Sequence, residues 1–379
     1  MNTNQIGLVD ARGDVWKKMK KSTAGAFSVM NMKKSIPLFS SCCQEMIEYI
    51  DAQTTTTSNL QVDCVELMKN LAVNTLGVVG FGMSVNSFKD TNCELRKQAE
   101  KLFDMKRFVA ITMMPKLMAF LNVKVFSPQA NKWFEILIEK AMHMRSNDTS
   151  ARKDVLGALI KLNEENPTEV TKTVMVSTTM QFMLDGYMTL AEAMTAVLYL
   201  IATHPDVEAN LHEEIDDVFD NKDDDNLIED DMNKFKYVDM VIQEGMRFFG
   251  AGMLPRLCTK TWKIPNTDRI LPVGSTVLIP VSSFQMDPEF WESPEEFNPE
   301  RWSQENKSQI KSGTYMPLGQ GPRQCLGYNY AKFETKFMLI NLFKNYSLRG
   351  GEHLPKKFKF DPNSQGTIIG GLKLEFNKR

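Results

Sequence analysis

Up to about residue 250 the apolar residues recur at intervals of three and four, as in LFSSCCQEMIEYI, WFEILIEKAMHM, LGALIKL, AEAMTAVLYLIATH and VDMVIQEGMRFF. That period lines one face of successive helices, so a stack of helices and not a sheet must form the main framework. From Cys258 to Ser283 the pattern shortens to KTWKI, RILPV and TVLIPVS, β-prone pieces separated by Pro-Asn and Pro-Val-Gly turns. A helix resumes after Gly327 in YNYAKFETKFMLINLFKNY, and LKLEF near the C-terminus alternates like a last strand. The expected fold class is therefore mainly α with a small β region. Its helical part covers about 1–250, its β region about 258–283, and a cysteine-bearing loop with its following helix about 313–346.

A net charge of −2 on 379 residues, with 42% hydrophobic and 24% charged residues, describes a densely packed globular chain. Disorder and nucleic-acid binding are both disfavoured by that balance. No Gly/Ser linker, Pro-rich spacer or long single-sign block divides the chain, so a single domain over 1–379 is expected. The acidic run Asp216 to Asp225, in EIDDVFDNKDDD, reads as a solvated loop after a helix. The N-terminal MNTNQIGLVDARGDVWKKMKK lacks an apolar core of signal or spanning length. The longest uncharged run, Asn70 to Phe88, is broken by glycines and asparagines and reads as a buried helix entering a turn.

Six cysteines, at 42, 43, 64, 93, 258 and 325, lack CxxC spacing, and four histidines, at 143, 204, 212 and 353, are scattered. Zinc chemistry and a His-based triad have little support, and a reducing compartment fits best. Cys64 and Cys258 read as small buried hydrophobes. Cys325 is different, because YMPLGQGPRQCLGYNYAKFETKF frames it with glycines and a proline just ahead of an amphipathic helix. Glycine lets backbone approach a flat ligand, and a helix start lowers a thiol pKa, so a buried thiolate able to bind iron is the reading.

Here the chain resembles the cytochrome P-450 family, whose signature Phe-x-x-Gly-x-Arg-x-Cys-x-Gly is matched by Gly321, Arg323, Cys325 and Gly327, with Leu318 in place of the Phe. Further matches follow in family order. Glu244 and Arg247 of EGMRFF lie three apart on one helical face, and the resemblance implies a buried pair that binds Arg301 of FNPERW as a structural network. Trp16 and Lys20 of WKKMK stand where the family has Trp-x-x-x-Arg, and with Arg256 and Arg323 they are the implied propionate ligands. Lysine keeps the charge of the family arginine but loses its planar fork. Lys17, Lys18 and Lys21 read either as a solvated face or as a docking patch for an acidic reductase.

The stretch MLDGYMTLAEAMTAVLYLIATHP resembles the family's distal helix, with Gly186 and Thr189 matching. It departs at Met188, where an acid is expected, at Leu190, where a second Thr is expected, and at Asp185, where a small residue is expected. A hydroxyl at Thr189 can hydrogen-bond to dioxygen, whereas methionine relays no proton, and Asp185, one turn earlier, is the candidate substitute. The segment MSVNSFKD resembles most the clan of animal drug-metabolising enzymes, although Gln285 and Met286 replace that clan's His-Arg ahead of Asp287-Pro288.

The resemblance implies iron protoporphyrin, haem b, held by Cys325 and lying against Gly186, Gly321 and Gly327. It implies insertion of one atom of O2 into a lipophilic small molecule, with electrons from an NADPH-dependent reductase and with Thr189 and Asp185 serving catalysis. The pocket is expected to draw on Leu102 to Phe126 and on Phe182 and Met183. It also implies about a hundred residues ahead of Trp16, judged from family domain size. These would carry the membrane anchor, first helices and first sheet strands, so the expectation is a shortened fold, soluble as given, from a protein of the cytosolic face of the endoplasmic reticulum membrane. Two other readings stand beside it. One is a haem-thiolate isomerase or dehydratase of lipid peroxides, which needs no reductase or proton relay; the other is a degenerate haem-binding chain without activity.

Overall fold

The helical period of the sequence carries through to the computed structural model, which describes residues 8, 11–56, 61–102, 104, 106–107, 110, 114–121, 123, 126–145, 154–222, 226–250, 252–350, 354 and 371–379. In chain order the elements begin with α1 (Gly13–Ala24), α2 (Val29–Lys34), α3 (Ile36–Thr56), β1 (Gln61–Asp63) and α4 (Cys64–Thr75), which continues as one π-helical turn, Leu76–Gly80. Then come α5 (Glu94–Glu100), α6 (Pro115–Phe120), α7 (Pro128–Arg145), α8 (Val155–Glu165), α9 (Lys172–Ala202) and α10 (Pro205–Asp220). The remainder is α11 (Lys236–Phe249), β2 (Leu254–Leu257), β3 (Trp262–Lys263), β4 (Ile270–Leu271), β5 (Thr276–Ile279), α12 (Val281–Gln285), α13 (Tyr328–Asn345), β6 (Tyr346–Gly350) and β7 (Lys373–Lys378).

The mainly α class with a small β region holds. Two details differ from the sequence reading. A strand forms at Leu254–Leu257, ahead of the expected β region, and the chain from Val281 turns helical where TVLIPVS reads as strand. Backbone pairing decides the first, since β2 lies antiparallel to β5 with Arg256 opposite Val277. The Asn70–Phe88 run is the expected buried helix leading into a turn.

A single domain over 1–379 is the sequence reading, and packing divides the chain into two compact units: Met1–Phe235 with Asn329–Arg379, and Lys236–Tyr328. In the first, α9 is the central helix. Its 31 residues start at an N-cap, where the Thr171 side chain accepts from the Val174 amide, and Val176, Met180, Met183, Tyr187, Met194 and Leu198 are among its core residues. This helix is long and apolar enough to cross a membrane, but most of it is buried, which is the signature of a core helix. Asp63 caps α4 by accepting from the amides of Val65 and Glu66 at 3.0 and 3.2 Å. The three-stranded sheet β1-β7-β6, antiparallel throughout, closes one side, with Val62 opposite Leu374 and Leu348 opposite Phe376, all four buried.

Inside this unit a stack of rings from Phe39, Tyr330, Phe333 and Phe337 joins α3 to α13. Beside it Glu334 is fully buried. One carboxylate oxygen accepts from the Thr75 hydroxyl at 2.6 Å, while the other, and the hydroxyl of Tyr330, have no hydrogen-bond partner of standard geometry. Burial pushes the Glu334 carboxyl up to about 8.

The second unit is built on α11. Its faces contrast sharply: Val238, Val241, Ile242, Glu244 and Arg247 are buried, at the three and four spacing of one stripe. The buried rings of Trp291 and Trp302 and the half-buried Tyr315 make the rest of this small core, Trp302 and Tyr315 having centroids 4.4 Å apart. The antiparallel strand pairs β2-β5 and β3-β4 complete it.

Candidate functional site

The cysteine loop lies in the second unit. Gly319 and Gly321 both adopt φ +78°, a backbone conformation that side-chained residues rarely take, and this bends the chain back on itself. The bend lets the Cys325 amide donate to the Leu318 carbonyl at 2.9 Å, closing the loop over a single 3₁₀ turn, Gly321–Arg323. The sequence reading expects a buried thiolate; Cys325 is instead exposed on the protein. That is the physical requirement for a sulfur that must reach a group from outside the polypeptide. The side-chain direction of Gly327 is open apart from the Cys325 Sγ at 3.9 Å, so nothing bulky crowds the sulfur from that residue. Three residues past the cysteine α13 begins.

The acid and bases expected to form a network do so. Glu244 and Arg247 are both fully buried, and the guanidinium donates to both carboxylate oxygens, at 3.0 and 2.8 Å. Arg301 adds a bond from Nε at 3.3 Å and the Trp302 indole one at 2.9 Å, with the Asn298 amide at 3.2 Å. Arg247 also donates to the carbonyls of Gln285, at 2.7 Å, and Glu296, at 3.2 Å. Such saturation is what a buried ion pair needs if desolvation is to be offset. Trp302 and Asn298 were not singled out from the sequence; the fixed spacing of FNPERW is the signal that contained them.

Arg256 alternates along β2 with its neighbours and shares a face with Leu254, whose side chain lies 3.6 Å from the Cβ direction of Gly319. The strand thus presents Arg256 on the side of the ligand loop. Its guanidinium bonds to the Pro255 carbonyl at 2.9 Å, and Arg323 is exposed on the loop itself. In the first unit Trp16 and Lys20 lie one turn apart on α1, the Lys20 ammonium 5.3 Å from the indole centroid. Of the basic residues on that helix, Lys17 is paired with Asp14 at 3.1 Å and Lys18 with Glu169 at 2.6 Å, while Lys21 is exposed.

On α9 the hydroxyl of Thr189 donates back to the Asp185 carbonyl one turn earlier. Both residues are exposed at the surface, while neighbouring protein crowds the Asp185 carboxyl. Burial pushes its carboxyl up to about 6. Gly186 packs against the π-helical turn, where an added Cβ would come within 3.1 Å of the Leu76 side chain, a tight contact that the end of the leucine would have to give way to. Leu190 is core.

The expected pocket residues Phe182 and Met183 are also core, Phe182 packing on Phe27 with centroids 5.3 Å apart, and Leu102 is buried. Positions 103, 105, 108–109, 111–113, 122 and 124–125 of the expected pocket stretch lie outside the described residues. Cys64 is the buried hydrophobe expected, but Cys258 is only partly buried, its thiol 3.1 Å from the Lys260 carbonyl. His204 and His212 bond to the carbonyls of Leu200 and Tyr346 at 2.7 and 3.2 Å, as structural residues do, and His353 lies outside the described residues.

Among the described residues no group of three or more His, Cys, Asp or Glu could hold a metal alone. The residues at Cys325 fit the haem that the resemblance implies: one accessible soft sulfur on a glycine-bent loop, with Arg256 and Arg323 available for carboxylates.

Comparison with known proteins agrees. A family model described as Cytochrome P450 matches residues 1–375. Cytochrome P450 9e2 of Blattella germanica is 28% identical over 408 residues, covering 98% of this chain and 76% of its own length. Lithocholate 6-beta-hydroxylase of Mesocricetus auratus is 28% identical over 364 residues (92% and 71%), and cytochrome P450 3A6 of Oryctolagus cuniculus 28% over 349 (88% and 68%). With a family model matching almost end to end, and with relatives of the drug-metabolising kind that MSVNSFKD pointed to, this chain belongs to the cytochrome P450 family of haem-thiolate monooxygenases.

Proposed function

We propose that this chain hydroxylates a lipophilic small molecule with electrons from an NADPH-dependent reductase, at the cytosolic face of the endoplasmic reticulum membrane. The observation that carries the reading is the exposed Cys325 on a loop closed by its own amide, in the unit braced by Glu244, Arg247 and Arg301. Cys325 would supply the thiolate and Arg256 and Arg323 would hold haem carboxylates, the role that the resemblance also gives to Trp16 and Lys20. Bound haem supplies oxygen activation, which consumes two electrons and two protons.

The polypeptide's own part is to hold the sulfur deprotonated and to bring protons to the distal side. Asp185 is the acid for that second task, being raised by burial to about 6 and one turn from the Thr189 hydroxyl. Lys17, Lys18 and Lys21 are the proposed docking face for the reductase. Since Lys17 and Lys18 are opposed by Asp14 and Glu169 in exposed pairs, docking would exchange those pairs for acids of the partner at little cost.

A second reading rests on Met188 and Leu190: without the usual acid and second threonine, rearrangement of a lipid peroxide without reductant also suits the helix. The test is to load the protein with haem, reduce it under carbon monoxide and record the difference spectrum, then repeat with Cys325→Ser. The strongly red-shifted band of thiolate ligation is expected, and expected to vanish in the variant; its persistence there would remove Cys325 from the iron. Product formation that requires NADPH and reductase then selects hydroxylation, and consumption of a fatty hydroperoxide without reductant selects the second reading.

A further inference from the structure

Gln285 has no exposed surface and uses every polar atom of its side chain. Its Nε2 donates to the carbonyls of Arg247 and Met246, at 2.8 and 3.3 Å, and its Oε1 accepts from the Met316 amide at 3.0 Å. The two carbonyls belong to the last turn of α11, where a helix leaves its C=O groups without intrahelical partners. The Gln285 main-chain carbonyl takes the Arg247 guanidinium at 2.7 Å as well. One residue thus joins the end of the helix carrying the buried ion pair to the segment that enters the cysteine loop.

Met316 is well placed to transmit that constraint. Its carbonyl accepts from the Gly319 amide at 2.9 Å, and Leu318, between them, accepts from the Cys325 amide at 2.9 Å. Two further contacts fix the same segment to α11. The Tyr315 hydroxyl donates to the Gln243 carbonyl at 3.2 Å, and Gly250 lies so close to Pro317 that an added Cβ would meet its Cα at 2.7 Å. Without Gln285 the Met316 amide and the two helix carbonyls would lose buried partners.

Only a side chain that donates and accepts at once can make this bridge, which an amide does without changing charge. A neutral imidazole also has one donor and one acceptor, and the charged groups that face the site are Arg247 and Glu244 from α11 and Arg301 beyond them.

We propose that Gln285 is a positioning residue for the iron-ligating thiolate, its amide setting the register between α11 and the loop that carries Cys325. This rests on Cys325 being the ligand, and the test separates the two. In the full chain without haem, hydrogen exchange at the Met316 amide is compared for the unsubstituted protein, Gln285→Leu and Gln285→His near pH 8, where imidazole is about neutral. Exchange should speed up by about five- to tenfold in Gln285→Leu, the loss of one net hydrogen bond, and return towards the original rate in Gln285→His.

After haem loading, the share of protein giving the thiolate carbon monoxide band should fall by a similar factor in Gln285→Leu and recover in Gln285→His. Unchanged exchange and an unchanged band in a folded Gln285→Leu overturn the proposal, as does a histidine variant no better than leucine. If Gln285→Leu fails to fold, Gln285→Met, of similar length and without an amide donor or acceptor, takes its place in the same comparison. Absence of the band in the unsubstituted protein removes the ligand assignment and with it the positioning role, leaving a structural clip whose existence the exchange rates report.

Discussion

Two glutamates, Glu244 and Glu334, are buried almost completely, one in each unit, and the protein treats them in opposite ways. Glu244 receives a two-pronged arginine, a second arginine, an indole and a backbone amide. Glu334 receives one hydroxyl, and burial raises its carboxyl to about 8. The first arrangement uses charge to hold together segments far apart in sequence. The second makes the acid easier to keep neutral, so its cost appears only when pH forces ionisation. Burial alone therefore does not say what an acidic residue does; its partners do.

The largest effect expected from breaking this contrast is in the second unit. Arg247→Ala leaves the Glu244 carboxylate buried with Arg301 as its remaining cation, and should cost about 3–5 kcal/mol in urea denaturation. A loss below about 1 kcal/mol would mean that water or rearrangement replaces the guanidinium readily.

Glu334 should give a smaller effect, and one that depends on pH. Its folded pKa lies above the unfolded value, so the native state binds the extra proton between about 4.5 and 8. Stability contributed by the neutral acid is then complete at low pH and falls as pH rises through about 8. Glu334→Gln should remove most of that fall, on the order of 2–4 kcal/mol between the two ends of the window. Denaturation midpoints at several pH values measure it, and parallel curves for the two proteins would dismiss the buried acid as its source.

Asp185 offers a functional version of the same comparison. Desolvation pushes its carboxyl up to about 6, so in the proton-donor role proposed above it would carry its proton below that value and lose it above. The fraction of reductant converted to product should decline as pH rises through about 6, and Asp185→Asn should flatten the profile with a loss of roughly tenfold at the acid end. Met188→Asp, which restores an acid at the family position, should raise that fraction; a change in neither variant would point to protons arriving by another route.

The smallest expected change is in Lys20→Arg. The planar fork suits a carboxylate better than an ammonium held over an indole, so haem should be retained about threefold more tightly in competition with an apo-globin acceptor.

Much of the site was legible without coordinates. Glu244 and Arg247 lie one helical turn apart, and Gly321, Arg323, Cys325 and Gly327 lie within seven residues, so their relation is local and spacing reveals it. What spacing could not show is which distant residues complete them. Trp302 and Asn298 reach Glu244 from more than fifty positions away, and Gln285 meets Met316 across thirty-one. One sequence expectation failed: Cys258, read as a buried hydrophobe, is only partly buried, because no local pattern records what packs over it.

By itself, then, the sequence determined the succession of helices and small strands and the residue types of the ligand loop, because periodicity and backbone preference act over a few residues. The tertiary structure alone decided that Gly186 packs against Leu76, that Gln285 clips a helix to a loop, and that one buried acid is paired with arginines and the other is not. Hydrogen-bond satisfaction in a core is settled by groups that only folding brings within about 3 Å of one another, and no local pattern records that distance.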